Sequence, residues 1–120
     1  MKRDYKLFVI DILEAIDYID SFVKGMSFED FLKDEKTKSA VIWQINVIGE
    51  ATKNIPKSIR AKYKDLPWKD MAGIRDKISH FYFGVNYEIV WKVIKKRLLE
   101  LKPKIEQILK DLESEENNAG

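Results

Sequence analysis

Cysteine is absent from this chain of 120 residues, and histidine occurs only once. Disulfide bonds and thiolate chemistry are therefore excluded, and a metal site would need carboxylates or a second chain to complete its ligands. No stretch is apolar enough for a signal peptide or a membrane span, because acidic residues interrupt the hydrophobic N-terminal segment. These absences predict a soluble, cytoplasmic protein without a metal ion or other cofactor.

Glycine and proline are also scarce, with five and three residues, while charged residues make up 35% of the chain. This composition is typical of helices whose outer faces are solvated. The sequence shows neither the alternation of a β-strand nor a glycine-rich phosphate loop. Since the length suffices for one domain, the chain is expected to form a single all-α unit.

Apolar residues at three- and four-residue steps mark the helices. The first helix carries two apolar strips, which predicts packing on two sides, and it should end near Gly25. Ser27 can cap a short second helix, and a third is predicted over residues 35–54. The three tryptophans of the chain are interpreted as core residues.

Prolines divide the second half of the chain. Pro56 and Pro67 each fit the first turn of a new helix, where the missing amide costs nothing. The segment that begins at Pro67 is predicted to remain helical up to Gly84. Asn86 is a suitable cap for the final helix.

The final helix carries an apolar stripe that ends at Leu112, and Pro103, inside it, should kink or divide the helix. The residues that follow the stripe are mainly acidic and polar. We therefore expect residues 1–113 to form an antiparallel four-helix-type bundle with short extra helices, followed by a flexible acidic tail at 114–120.

Basic residues are concentrated in the middle of the chain. Residues 51–104 contain 14 basic and 5 acidic side chains, against 7 and 10 in residues 1–50 and 1 and 5 in residues 105–120. A polyanion would be drawn to this middle part. Solvated helix faces rich in lysine are the plainer explanation.

The stretch MAGIRDKISHFYFGV, residues 71–85, places polar groups among apolar ones. His80 can serve as general base or acid at neutral pH, and Arg75 can bind a phosphate and stabilise a negative transition state. These roles suit RNA cleavage in which a 2′-hydroxyl attacks the adjacent phosphate and leaves a 2′,3′-cyclic phosphate. In a regular helix, Asp76 would lie near His80 and orient its imidazole. By spacing alone, a packed histidine and a core or stacking Tyr82 are the plainer interpretations.

The spacing of the arginine and the histidine raises a geometric problem. Five residues apart, Arg75 and His80 would stand roughly 140° apart around an ideal helix. Three solutions are open: the helix is distorted near this point, the long arginine reaches around it, or a second subunit completes the site. Gly73 and Gly84, on either side, make a helix end close to the motif plausible.

Arg75, the four residues DKIS, His80, any residue and Tyr82 resemble the signature of the HepT family within the HEPN superfamily. The flanking segments DILEAIDYID, VIGEATKNIP, PWKDMAGIRDKISHFYFGVN and VWKVIKKRLLELKPKIEQIL also resemble this family in order and spacing. The resemblance covers nearly the whole chain.

This resemblance implies an all-helical homodimer that acts as the toxin of a toxin–antitoxin pair, a metal-independent endoribonuclease with its motif near the dimer cleft. Arg75 and His80 would be the catalytic pair, supported by Asp76. The implied partner is an MNT-type nucleotidyltransferase that neutralises the toxin by attaching AMP to Tyr82. The bulky anionic adduct would occupy the phosphate site and cancel its positive charge.

A noncatalytic module that binds nucleotides, RNA or protein is the alternative within the same superfamily. A buried His80, or an Arg75 locked in a salt bridge with Asp70 or Glu50, would favour it. For the nuclease, a basic surface should lead to the motif and contact the RNA backbone. The candidate contacts for that surface are Lys57, Arg60, Lys62, Lys64, Lys69 and Lys77.

Overall fold

The computed structural model describes residues 4–80 and 84–119, with all side chains in these ranges except those at positions 79, 80 and 119. Two long helices, α1 (Tyr5–Val23) and α3 (Glu35–Lys53), pack along each other, and the short helix α2 (Phe28–Lys33) joins them. Since α3 also contacts the segments that carry the motif, it connects the N-terminal half to the candidate site.

The second half of the chain consists of short helices, a small hairpin pairing and one long helical unit. The long unit is formed by three consecutive segments, the middle one π-helical, and its last segment packs against α1. The elements are α4 (Lys57–Lys62), α5 (Trp68–Ala72), α6 (Ile74–Ile78), β1 (Ser79–His80), β2 (Gly84–Val85), α7 (Tyr87–Lys92), the π-helix (Val93–Arg97) and α8 (Leu98–Ala119).

Helix termini follow the capping signals of the sequence. After α1, Gly25 adopts a left-handed φ of 77°, which a glycine reaches without steric cost. Ser27 and Asp30 form a capping box, in which each side chain accepts a hydrogen bond from the other residue's backbone N–H. The Asn86 side chain accepts from the N–H of Ile89 at the start of α7. The predicted boundaries at these three places are confirmed.

One apolar core is shared by the long helices and the motif segment. Ile12 and Ile45 bring α1 and α3 into it, and Ile78 and Ile105 add α6 and α8. The all-α fold class is thereby confirmed. The segment from Pro67, predicted to be helical up to Gly84, is divided among the described residues into the short helices α5 and α6, and α6 ends at Ile78.

The sequence predicts a flexible acidic tail from residue 114, and in the structure α8 continues through this segment to Ala119. Two ion pairs connect this last part to the body: Lys6 Nζ lies 2.9 Å from Glu116 Oε2, and Lys62 Nζ lies 3.1 Å from Glu115 Oε1. The hydrogen bond to Glu116 raises the pKa of the Lys6 amine. An apolar pattern cannot reveal such partners, since they come from distant parts of the chain.

Pro103 does not divide the final helix, which runs through it as part of α8. A proline removes the hydrogen bond to the carbonyl four residues earlier, here that of Leu99. Both Pro103 and Leu99 are exposed, so this carbonyl lies on the side of the helix where water can bind it. In the described ranges, no helix is long and apolar enough to cross a membrane.

The tryptophans do not all belong to the core. Trp68 is buried and donates its indole N–H to the carbonyl of Tyr63 at 2.9 Å, and Trp91 packs on Phe31 with ring centroids 5.1 Å apart. Trp43, in contrast, is 66% exposed on α3, so its assignment to the core is wrong. The buried face of α3 is the one that carries Val41, Ile45 and Ile48, and Trp43 lies off that face.

Candidate active site

Arg75 projects from α6 because its neighbours anchor that helix to the core. Ile74 and Ile78, four residues apart, are both buried, which leaves Arg75, Asp76 and Lys77 exposed between them. The break at Gly73, whose N–H donates to the carbonyl of Lys69 at 3.0 Å, separates α6 from α5. This local pattern of apolar residues therefore presents the arginine to solvent.

The two carboxylates that could have locked Arg75 are paired with lysines. Asp70 Oδ1 lies 3.0 Å from Lys77 Nζ, and Glu50 Oε1 lies 3.3 Å from Lys53 Nζ. Among the residues with described side chains, no hydrogen bond or ion pair involves the Arg75 guanidinium. It is therefore available to an anionic ligand.

The helix ends between the arginine and the histidine. Ile78 is the last residue of α6, and Ser79 and His80 are extended and pair antiparallel with Val85 and Gly84. Because the helical rotation of 100° per residue stops at Ile78, the separation of 140° predicted between Arg75 and His80 around a helix does not apply. Of the three solutions that the sequence left open, a distortion of the helix at this point is present.

This ending also removes the premise for the predicted contact of Asp76 with His80, which required a regular helix over both. Asp76 is exposed in α6, and its N–H donates to the carbonyl of Gly73 at 3.0 Å. The His80 side chain, and Tyr82 as a whole, lie outside the described residues. Their roles stay predictions.

A groove of about 590 Å³ brings Arg75 and Asp76 together with α1 and α3. Gly49 lies on its floor, where α3 meets the α5–α6 segment: a Cβ at this position would be 3.5 Å from the Ala72 carbonyl oxygen. The other lining residues with polar or aromatic side chains are Phe8, Asp11, Trp43, Asn46, Glu50, Lys53 and Asn54.

Two residues of this groove were not predicted as site residues. Trp43 exposes most of its indole, and Asn46 has a buried side-chain oxygen with no hydrogen-bond partner among the described residues. The sequence carries a signal for Asn46, because the polar residues Gln44, Asn46 and Glu50 interrupt the otherwise apolar middle of α3. An exposed tryptophan is invisible to a pattern that assigns aromatics to the core.

The predicted RNA contacts divide into two groups. Arg60 donates to the carbonyls of Thr52 and Ile55, and Lys62 and Lys77 are held in ion pairs with Glu115 and Asp70. The other three lysines are exposed, and no ion pair within the described ranges includes them. They are Lys57, Lys64 and Lys69.

Comparison with known proteins identifies the family. The family model described as "Ribonuclease HepT-like" matches residues 12–108. The chain belongs to the HepT-like ribonuclease family. It is 47% identical to "Putative RNase MJ0127" of Methanocaldococcus jannaschii over 118 residues, which cover 98% of each chain. It is also 46% identical to "Probable ribonuclease HepT" of Thermococcus cleftensis over 110 residues, 92% of this chain and 100% of that one. No solved structure matches.

Membership in the HepT-like family, and thereby in the HEPN superfamily, agrees with the all-α fold and with the resemblance carried by the motif. The matched region extends from the middle of α1 into α8, so it includes every residue of the groove except Phe8 and Asp11.

Proposed function

We propose that this HepT-like chain is an endoribonuclease toxin that cleaves RNA without a metal ion. The observation that carries the proposal is the exposed Arg75 guanidinium, which pairs with none of the described side chains, lies in a groove and precedes His80 by one short turn and a helix end. Relatives named as ribonucleases, which cover nearly the whole chain, support the same class of substrate.

The proposed chemistry is an internal transfer of the phosphodiester. His80 removes the proton of the ribose 2′-hydroxyl, and the 2′-oxygen forms a bond to phosphorus while the bond from phosphorus to the 5′-oxygen breaks. The leaving oxygen takes a proton, so that the products are a 2′,3′-cyclic phosphate and a free 5′-hydroxyl. Arg75 binds the phosphate oxygens, where negative charge grows in the transition state. Asp76, the exposed neighbour of Arg75 on α6, keeps a supporting role in this proposal.

A homodimer would place two copies of the motif near one cleft. One His80 could then act as the general base while its counterpart in the second subunit acts as the general acid. A single imidazole would not need to perform both proton transfers. The fold offers Leu7, an exposed apolar residue of α1, as a contact for such an arrangement.

Control by an MNT-type nucleotidyltransferase forms the second part of the proposal. Tyr82 lies in sequence between His80 and Gly84, whose backbones pair, so an AMP group on its oxygen would be attached close to the histidine. The added phosphate would compete with RNA for Arg75. This reasoning supports Tyr82 as the acceptor and Arg75 as the group that the modification neutralises.

The noncatalytic alternative is less well supported. A salt bridge from Arg75 to Asp70 or Glu50 would favour it, and both of these carboxylates are paired with lysines instead. We therefore propose the nuclease alone.

The decisive experiment is cleavage of a labelled RNA by purified protein in chelator, with the product ends identified. Wild-type protein should leave a cyclic phosphate, and His80→Ala should abolish cleavage with its helical circular dichroism intact. Arg75→Lys keeps the positive charge but loses the planar guanidinium that can donate two parallel hydrogen bonds to a phosphate. Its cleavage rate should therefore be lower than that of the wild type. Cleavage that persists in clean His80→Ala protein would contradict the assignment.

Modification is tested separately with Tyr82→Phe. This variant should keep nuclease activity and resist labelling by the nucleotidyltransferase in the presence of ATP, as read by the mass of the intact chain. Normal labelling of the variant would show that the acceptor is a different residue.

A further inference from the structure

Trp43 is exposed in an unusual setting. Its indole is 66% exposed, although Trp68 is buried and Trp91 packs on Phe31. The residue lines the same groove as Arg75. An accessible aromatic ring in one groove with a guanidinium that no described residue pairs is suited to a nucleotide, because the ring can stack on the base and the cation can bind the phosphate.

Asn46 lies one turn after Trp43 on α3 and lines the same groove. Its side-chain oxygen is buried and accepts no hydrogen bond from any described residue. A buried polar atom without a partner is costly, so its presence in a groove calls for a hydrogen-bonding ligand. This observation is independent of the exposure of Trp43.

The charges of the groove indicate how a nucleotide would be oriented. Its charged residues are the acidic Asp11, Glu50 and Asp76 and the basic Lys53 and Arg75, and Lys53 is paired with Glu50. Carboxylates repel a phosphate but accept hydrogen bonds from the amino groups of a base. The phosphate is therefore expected at Arg75 on α6, the cation of the groove that has no ion pair with a described residue, and the base between Trp43 and Asn46 on α3. The two helices are in contact, as a single nucleotide would require to span them.

We propose that Trp43 and Asn46 form a subsite for a nucleobase adjacent to the phosphate that Arg75 binds. Trp43 supplies stacking, which tolerates any base, and Asn46 supplies a hydrogen bond that distinguishes among bases. The subsite deepens the proposed ribonuclease function and rests on it for its substrate. Both residues position the RNA, and neither takes part in proton transfer.

The first test uses a short RNA that contains a site cleaved by the wild type. Two further versions of this RNA each lack one base, on one or the other side of the scissile bond, and keep the 2′-hydroxyl. Trp43→Ala should lower kcat/KM for the intact RNA on the order of ten- to a hundredfold, as expected for a lost stack. Trp43→Phe should retain most of the activity. On one of the two base-free RNAs, wild type and Trp43→Ala should be equal.

Leu99→Ala is the matched control, because Leu99 is also a large apolar residue, 50% exposed, but lies outside the groove. It should equal the wild type on every RNA. If Trp43→Ala is slowed to the same extent on intact and base-free RNA, the stacking role is refuted. A simultaneous loss of the dimer in sedimentation would then assign Trp43 to self-association instead.

Asn46→Leu separates the two roles. This variant should reduce the difference in cleavage rate among the four bases at the stacked position, whereas Trp43→Ala should slow all four alike. Unchanged preference in Asn46→Leu would remove Asn46 from the subsite.

A binding measurement tests the nucleobase subsite independently of RNA cleavage. In His80→Ala protein, the short RNA should quench tryptophan fluorescence more than its base-free version, and the additional quenching should disappear with Trp43→Phe. If the wild type does not cleave but this quenching is observed, the nuclease proposal fails and the subsite stands. Equal quenching by both RNAs would overturn the subsite whether or not the protein cleaves.

Discussion

Arg60 allows the sharpest test of the difference between a structural cation and one that binds RNA. Its Nε donates to the carbonyl of Ile55 at 3.1 Å, and its terminal nitrogen donates to the carbonyl of Thr52 at 2.7 Å. Thr52 lies in the last turn of α3 and Ile55 two residues beyond its end, a place where backbone acceptors lack helical partners and a positive charge is favourable. We therefore predict that Arg60→Met lowers stability without weakening RNA binding by the folded protein.

The magnitude follows from these two bonds. A hydrogen bond that involves a charged group contributes about 1.5–3 kcal/mol, and we take the lower end because the arginine is partly exposed. The Thr52 carbonyl keeps a second hydrogen bond, from the N–H of Ile55, whereas the Ile55 carbonyl has no other described donor. Since methionine retains much of the aliphatic packing, the expected loss is about 2–3 kcal/mol in the free energy of unfolding.

Urea unfolding followed by tryptophan fluorescence measures this loss, and a typical m value converts it into a midpoint lower by about 1–2 M. Arg60→Lys should recover part of the loss, since one ammonium cannot reach both carbonyls with the geometry of the fork. Exposed Lys57→Met is the matched control and should leave the midpoint unchanged. Wild-type stability combined with weaker RNA binding in Arg60→Met would refute the structural role.

Three further predictions concern helix α3, helix α8 and the lysines. Gly49→Ala should raise the melting temperature by a few degrees, since its Cβ would make only ordinary contacts in a helix interior; a decrease would mean closer packing there. Hydrogen bonds from Tyr63 and Gln107 lower the pKa of Asp111, so their stabilisation is present above pH 3.8 and disappears as pH falls through the lowered pKa. Asp111→Asn should therefore be less stable than wild type at neutral pH, with the gap in urea midpoint closing in acid. Lys64→Gln should flatten the slope of log K against log salt for single-stranded RNA by about 0.7, whereas Lys62→Gln, already paired with Glu115, should change it less.

Local signals predicted much of the fold because they act within one turn of the chain. The capping box at Ser27 and the cap at Asn86 each satisfy backbone groups three residues away, and the structure forms both. The helical end of the chain was missed since its supports, Lys6 and Lys62, are far away in sequence. Sequence patterns report such contacts only when two segments carry matching apolar faces.

The candidate site was predictable in composition but not in geometry. The sequence indicated Arg75 as a site residue but could not decide whether Asp70 or Glu50 would pair with it. In the structure, both carboxylates form ion pairs with lysines. The helix end at Ile78 was left open as one of three possibilities. Trp43 was misassigned, because periodicity identifies a face of α3 but not which face meets the core.

The π-helix at Val93–Arg97 should let the chain tolerate the deletion of one residue in this turn. The N–H of Leu98 bonds to the carbonyl of Val93, five residues earlier, so this turn contains one residue more than an α-helical turn. Deletion of one exposed residue, Lys95 or Lys96, would let the turn close as a regular α-helix without rotating the buried stripe of α8. The chain can therefore absorb a single-residue gap here, whereas the same deletion in the middle of α1 or α3 would turn half of the helix away from the core.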